Sequence, residues 1–193
     1  MMASSSMSGE VRPGPVLKPE DLQAYIAAEG IAARLLCDLG DTSTVPLAAA
    51  ALGVGVQRII KSLLFLVRLP DPSASPQPVL VVIGGPHQVD YRAIAARFGV
   101  SRKRVRLASA EEVLAILGYP AGGVPPFGHR TKVPVLMDAA LVGQQSSQAT
   151  VYGGGGDERT MLEITLAELL RVARPEVLSV SSTAASKPGR PES

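Results

Sequence analysis

The chain has no tryptophan, one cysteine and two histidines among its 193 residues. A single thiol, Cys37, excludes an intramolecular disulfide. With His87 and His129 it still falls short of the cluster a structural or catalytic metal needs, so neither metal nor cofactor is expected. Nothing near Cys37 in sequence would lower its pKa, so it is expected to be a buried, inert thiol. There is no Ser-His-Asp series and no paired-carboxylate motif, which removes the commonest routes to hydrolysis by side chains. Aromatic residues make up 4%, so Val, Leu, Ile and Ala must build the core. No apolar run approaches the roughly 20 residues that cross a bilayer. The opening stretch MMASSSMSGEVRPGP lacks the apolar segment of a secretory signal, and one arginine is weak support for a transit peptide. The expectation is a cytoplasmic protein with no membrane partner. A formal net charge of +2 is too small to bind DNA by its bulk field, so any cationic footprint must be local.

What the chain does have is proline and glycine in one place. Residues 118–134, GYPAGGVPPFGHRTKVP, hold four of each. Proline removes backbone donors and fixes φ, while glycine admits angles other residues avoid, so no regular element survives there. A shaped loop is expected, held by apolar flanks at 113–117 and 133–137. Bare N–H groups at Gly122 and Gly123 would suit an oxyanion, a phosphate or a carbonyl. A proline-stiffened turn between a helix and a strand is the plain structural alternative.

The rest reads as one α/β domain, a mixed β-sheet surrounded by helices, over residues 17–178. Tails at 1–16 and 179–193 are expected to be disordered. Pro19 opens a helix that Gly30 ends, and 32–36 can run as a strand. Thr42 or Thr44 caps a helix over 46–52. Residues 59–67 are almost wholly apolar, as in a strand covered on both faces, yet Lys61 interrupts them. A buried lysine is costly unless its ammonium reaches a cleft, an anion or water. After a proline-rich connection at 70–78 and a strand at 79–83 comes the loop GGPHQVD, which carries Gly85 and His87. Loops at strand ends commonly bind ligands in α/β proteins. Asp90 caps the helix that follows and Ser109 caps another over Ala110–Leu117. Between them Arg102, Lys103, Arg104 and Arg106 form the densest positive run, a solvated face or a phosphate-binding patch. A strand ending at Asp138, a hairpin around Gly153-Gly154-Gly155-Gly156-Asp157 and a helix over Leu166–Ala173 complete the chain. Those glycines lack the following Lys-Ser/Thr and long helix of a P-loop, which excludes a nucleotide triphosphate site there.

Two of these stretches carry a resemblance. GGVPPFG resembles the Gly-x-x-x-Pro loop of the YbaK and prolyl-tRNA synthetase editing-domain family, with Gly122 and Pro126 at the named positions. "LGV…IIKSLLF" resembles the lysine-bearing strand of the same family. The likeness extends in order over 17–178, and those two stretches are its specific parts. It implies a free-standing aminoacyl-tRNA deacylase. Lys61 would contact the sugar-phosphate end of the tRNA acceptor. Gly122, Gly123 and Pro126 would form the catalytic loop, with Gly85, His87, Gly128, Gly154, Gly155 and Asp157 bordering the substrate. Arg130, Lys132, Arg102 and Arg104 would touch tRNA. The substrate implied is a mischarged aminoacyl-tRNA bearing a small noncognate residue of the Ala or Cys type, with tRNA for proline as the expected carrier and prolyl-tRNA synthetase as the partner the resemblance suggests. A catalytically silent module that binds tRNA ends or amino acids is the alternative. One departure is Met161, near which some relatives carry an acidic residue.

Overall fold

The structure, a computed structural model, describes residues 14–71 and 73–182. The expected tails therefore fall mostly outside the described residues, at 1–13 and 183–193. In order the chain forms α1 (Pro19–Ala28), β1 (Ala33–Leu36), α2 (Val45–Leu52), β2 (Ile60–Val67), β3 (Gln77–Gly84), β4 (Gln88–Val89), α3 (Tyr91–Arg97), β5 (Val105–Leu107) and α4 (Ala110–Leu117). Then come β6 (Val135–Asp138), α5 (Ala139–Gly143), β7 (Thr150–Gly154), β8 (Met161–Thr165), α6 (Leu166–Ala173), β9 (Glu176–Leu178) and β10 (Ser181–Ser182).

The central sheet is mixed, in the order β5-β2-β3-β6-β9. β2 runs antiparallel to both β3 and β5, while β3, β6 and β9 run parallel. A second, antiparallel sheet, β1-β8-β7, stands beside it, and the two touch where Ile59 bridges Tyr152. In the second sheet the β7–β8 hairpin expected from sequence takes β1 as a further neighbour of β8. Alternation along β2 divides the interior. Ile60, Leu64 and Leu66 face a core shared with α1, α4 and α6, while Phe65 and Val67 face α3.

Local chemistry sets the helix ends. In α4 the Ser109 hydroxyl accepts from Glu112 N–H at 3.2 Å, and the Glu112 carboxylate accepts from Ser109 N–H at 2.9 Å, a reciprocal cap. Two hydrogen bonds of 2.7 Å from the Arg106 guanidinium hold the Glu112 carboxyl down at about 2. Thr44 caps α2 and Asp90 caps α3, as their residue types predict.

Two expectations need correction. Cys37 is exposed, because β1 is an edge strand that ends at Leu36. Order also runs past both expected domain boundaries. Pro15 accepts a hydrogen bond from Arg130, and Val180 is fully buried with β10 following it, because an apolar side chain and a strand-edge partner were both present there.

Candidate active site

Lys61 stands at the start of β2, where the strand leaves the packed interior. β5 pairs only with Phe65–Val67, and β7 reaches only Ile59. Between them, among the described residues, the β2 edge carries no strand, and Lys61, Ser62 and Leu63 are only partly buried. The Lys61 Nζ donates to the His87 carbonyl at 2.6 Å. Burial pushes its pKa down from the ordinary lysine value. An ammonium has three donors, so the remaining two are free to meet a second acceptor.

Loop 118–134 is built as a series of constrained turns. Gly123 N–H donates to the Pro120 carbonyl at 3.2 Å, and Gly122 at the third turn position has φ +97°. That is the turn in which the third residue must adopt positive φ, so glycine is required. The turn corrects the expectation of two bare donors: Gly123 N–H is used inside it. Gly122 N–H has no acceptor among the described residues. Pro126 packs beside Gly153 of β7, and His129 Nε2 lies 2.8 Å from the Pro125 carbonyl. Burial holds the His129 pKa below its usual value, so the neutral ring donates to that carbonyl.

The glycines of the β7–β8 hairpin let this loop lie directly against it. A Cβ on Gly123 would sit 2.6 Å from the Asp157 backbone, and one on Gly154 would sit 2.4 Å from the Val124 carbonyl oxygen. Gly156 N–H donates to the Gly123 carbonyl at 2.8 Å. Gly155 serves the hairpin itself, donating to the Thr160 carbonyl at 3.0 Å. Asp157 Oδ1 accepts from Arg159 N–H at 2.9 Å and so shapes the hairpin tip.

These elements enclose a cleft of about 210 Å³. Lys61, Gly122 and Gly154 line it together, so the two stretches singled out in the sequence meet across one space. Its floor is apolar: Val45, Ala48, Ile59, Val124 and Met161. Thr42, Ser43 and Thr44 form one wall at the start of α2. Thr42 is fixed there, donating through both N–H (2.7 Å) and hydroxyl (2.9 Å) to the Glu158 carbonyl. Sequence reasoning took Thr42 and Thr44 only as possible helix caps and passed over Ser62. The signal available was their position: a cap beside a cleft shows one face to the helix and another to the ligand.

Other anticipated residues stand elsewhere. Gly85 packs behind the site, its N–H donating to the Ile59 carbonyl at 2.7 Å. His87 contributes its carbonyl to Lys61, while its ring faces Asp138. Gly128, with φ +77°, packs on Leu22 and Tyr25 of α1. The Arg130 guanidinium donates to the Leu114 and Ala115 carbonyls, both at 3.2 Å, and to Pro15, which ties down the end of α4. Lys132 is exposed in a separate groove of about 620 Å³ with Tyr25, Arg171 and Arg174, sharing no lining residue with the cleft. Arg102 stacks over Tyr91 at 4.4 Å, and Arg104 donates to the Leu69 carbonyl at 2.8 Å. Among the described residues no three His, Cys, Asp or Glu side chains gather to hold a metal, and no helix is long and apolar enough to cross a membrane.

A mixed α/β domain with a lysine-bearing strand facing a glycine–proline loop over a small cleft defines a class, and comparison with known proteins places the chain within it. Residues 40–172 match the model of the aminoacyl-tRNA editing domain, and the chain belongs to that family. Such domains act as deacylases, cleaving the ester that joins an amino acid to tRNA. The uncharacterized protein YwhH of Bacillus subtilis is 33% identical over 128 residues, covering 66% of this chain and 73% of YwhH. The multifunctional Ser/Thr-tRNA deacylase ProXp-y of Escherichia coli is 30% identical over 108 residues, covering 56% of this chain and 62% of that protein. The proline–tRNA ligase of Halalkalibacterium halodurans is 35% identical over 98 residues, covering 51% of this chain but 16% of the ligase. Among solved structures, a candidate trans-editing enzyme for prolyl tRNA synthetase superposes with a TM-score of 0.72 at 27% identity, covering 85% of this chain and 96% of that one.

Proposed function

We propose that the chain is a trans-editing deacylase that hydrolyses a small noncognate amino acid, of the alanine or cysteine type, from mischarged tRNA, with tRNA for proline the expected carrier. The observation that carries this reading is the meeting of Lys61 and Gly122 on one small cleft. An aminoacyl ester is already activated, so a positioned water and modest electrostatic help suffice. The Gly122 N–H would stabilise the tetrahedral oxyanion, a contribution of about 3 kcal/mol for a well-placed donor. The Lys61 ammonium, aimed by the His87 carbonyl, would hold the sugar-phosphate end of the acceptor by a charge-assisted contact. The neighbouring ribose hydroxyl would assist the attacking water. A cleft of about 210 Å³ lies below the roughly 300–1,000 Å³ of ordinary ligand pockets, which suits the aminoacyl group rather than the whole terminal nucleoside. Its apolar floor fits a small side chain. A methylene in such a floor is worth only about 1–3 kcal/mol, which is the gap that editing exists to close.

One observation favours a second reading, a silent module that binds tRNA ends or amino acids: Gly123 N–H is spent in its turn, so of the two donors expected there Gly122 alone is left. A panel of mischarged tRNAs separates the two readings. Release of alanine or cysteine from tRNA for proline in single-turnover assays is expected. Binding of every member with none hydrolysed would leave the silent module. An association with prolyl-tRNA synthetase belongs to the same proposal and is checked by co-purification of the two proteins.

A further inference from the structure

Asp138 closes β6 with 1% exposure, outside the cleft lining. A carboxyl group at such depth needs donors around it. They come from the far end of the described chain: Oδ1 accepts from Val180 N–H at 3.2 Å, and Oδ2 accepts from the Ser181 hydroxyl. The same segment pairs with β4, Ser181 opposite Val89 and Ser182 opposite Gln88, and the Val180 carbonyl accepts from Asp90 N–H at 2.8 Å. Val180 itself is fully buried in the core beneath α3. His87 is the residue immediately before β4. Among the described residues its Nδ1 is buried without a hydrogen-bond partner, 3.7 Å from Asp138 Oδ2, and its carbonyl receives the Lys61 ammonium.

We propose that segment 180–182 is a strap that positions Lys61. By clamping Gln88–Val89 and satisfying Asp138, it sets where the His87 carbonyl stands, and that carbonyl aims the ammonium into the cleft. His87, Asp138 and Ser181 are positioning residues in this arrangement, since none lines the cleft. The chain thus ties a segment far from Lys61 in sequence to the charged side chain that, among the described residues, lines the cleft. A two-residue ladder, three hydrogen bonds and the buried Val180 side chain hold the strap.

The consequence for turnover rests on the deacylase reading, so the test needs a second readout that does not. The full chain is compared with Ser181→Ala, Ser181→Thr and a form ending at Leu178. Single-turnover deacylation is measured alongside the rate at which an amine-reactive acylating reagent labels each lysine, followed by mass spectrometry. Ser181→Ala is expected to lower the single-turnover rate by about tenfold to a hundredfold, as misplacement of an aiming group does. Lys61 labelling is expected to rise several-fold while Lys18, Lys103 and Lys132 keep their wild-type rates. Ser181→Thr, which retains the hydroxyl, should restore both. Equal Lys61 labelling in wild type and Ser181→Ala, or failure of Ser181→Thr to differ from Ser181→Ala, overturns the proposal. A wild-type chain inactive on every tRNA, with Lys61 labelling still governed by Ser181, would overturn the deacylase reading and leave the strap standing. Should the shortened form fail to fold, the two Ser181 variants decide alone.

Discussion

Gly154→Ala is the substitution that most directly tests how the cleft is made. The new Cβ would lie 2.4 Å from the Val124 carbonyl oxygen and 2.7 Å from the Gly123 carbonyl carbon. Both are backbone atoms, so no side chain can rotate away. Ordinary contact requires the loop to retreat by about 1 Å, against the hydrogen bond from Gly156 N–H to the Gly123 carbonyl that pins it to the hairpin. Overpacking of this kind costs about 1–3 kcal/mol. In a domain of this size each kcal/mol lowers the melting temperature by about 2–4 °C. The retreat also carries Gly122 away from Lys61, and a displacement near 1 Å can cost about a hundredfold in rate. Thermal denaturation and single-turnover deacylation measure the two effects on one preparation. Gly143→Ala is the control, since nothing lies within 4 Å of its Cβ position and it carries no positive φ. It should leave the rate unchanged and the melting temperature equal or raised. A Gly154→Ala protein with wild-type melting temperature and rate would refute the close approach of loop and hairpin.

Other perturbations follow from the same site. Lys61→Ala should lower the deacylation rate by roughly tenfold to a hundredfold, the worth of a hydrogen bond from a charged donor, without lowering the melting temperature. Equal rates would leave Lys61 a strand lysine with no part in the chemistry. Because burial depresses the Lys61 pKa, its charging opposes folding at neutral pH and ceases to as pH rises through the depressed value toward 10.5; Lys61→Met should remove that rise, as paired denaturation curves at several pH values would show. Burial also depresses the His129 pKa, so its contribution to stability is whole above the ordinary 6.5 and is lost as pH falls below it; the wild-type melting temperature should drop more between pH 7.5 and 5 than that of His129→Gln. Lys132→Gln should flatten the salt dependence of tRNA binding by about one unit of slope if Lys132 meets a phosphate, whereas Arg130→Gln should mainly lower stability, since its guanidinium is occupied by carbonyls.

The sequence exposed the fold class because the signals for it are local. Pro19, Thr44, Asp90 and Ser109 mark helix starts through chemistry confined to one turn, and the structure begins a helix just after or at each. Lys61 was legible because a charge in an apolar run contradicts its surroundings, and the 118–134 loop because proline and glycine forbid everything else. What escaped was long-range. That β8 would also take β1 depends on an edge pairing between residues such as Leu36 and Met161. Cys37 reads as a buried, inert thiol because nothing near it in sequence would lower its pKa, yet the strand before it lies on an edge. Arg130 read as a free cation beside the site, but a helix end required its donors.

The glycines of the site divide into two kinds that sequence alone does not separate. Gly122 is needed for its positive φ, since only that angle closes the turn from Pro120. Gly123 and Gly154 are needed for the absence of Cβ, since a Cβ on either would lie within 3 Å of backbone from the facing element. The first requirement is local and the second exists only once the loop and hairpin have met. That difference explains why a catalytic surface can be built here with so few ionisable groups. Side chains on both elements would hold them apart and fill the cleft. Stripping them away brings two backbones together, uses Gly123 N–H to stiffen the turn, and leaves Gly122 N–H without an acceptor among the described residues, on a cleft that Lys61 also lines. The chemistry open to such a site is what oriented amides and one positive charge can do, which is to stabilise negative charge on an ester already disposed to hydrolyse.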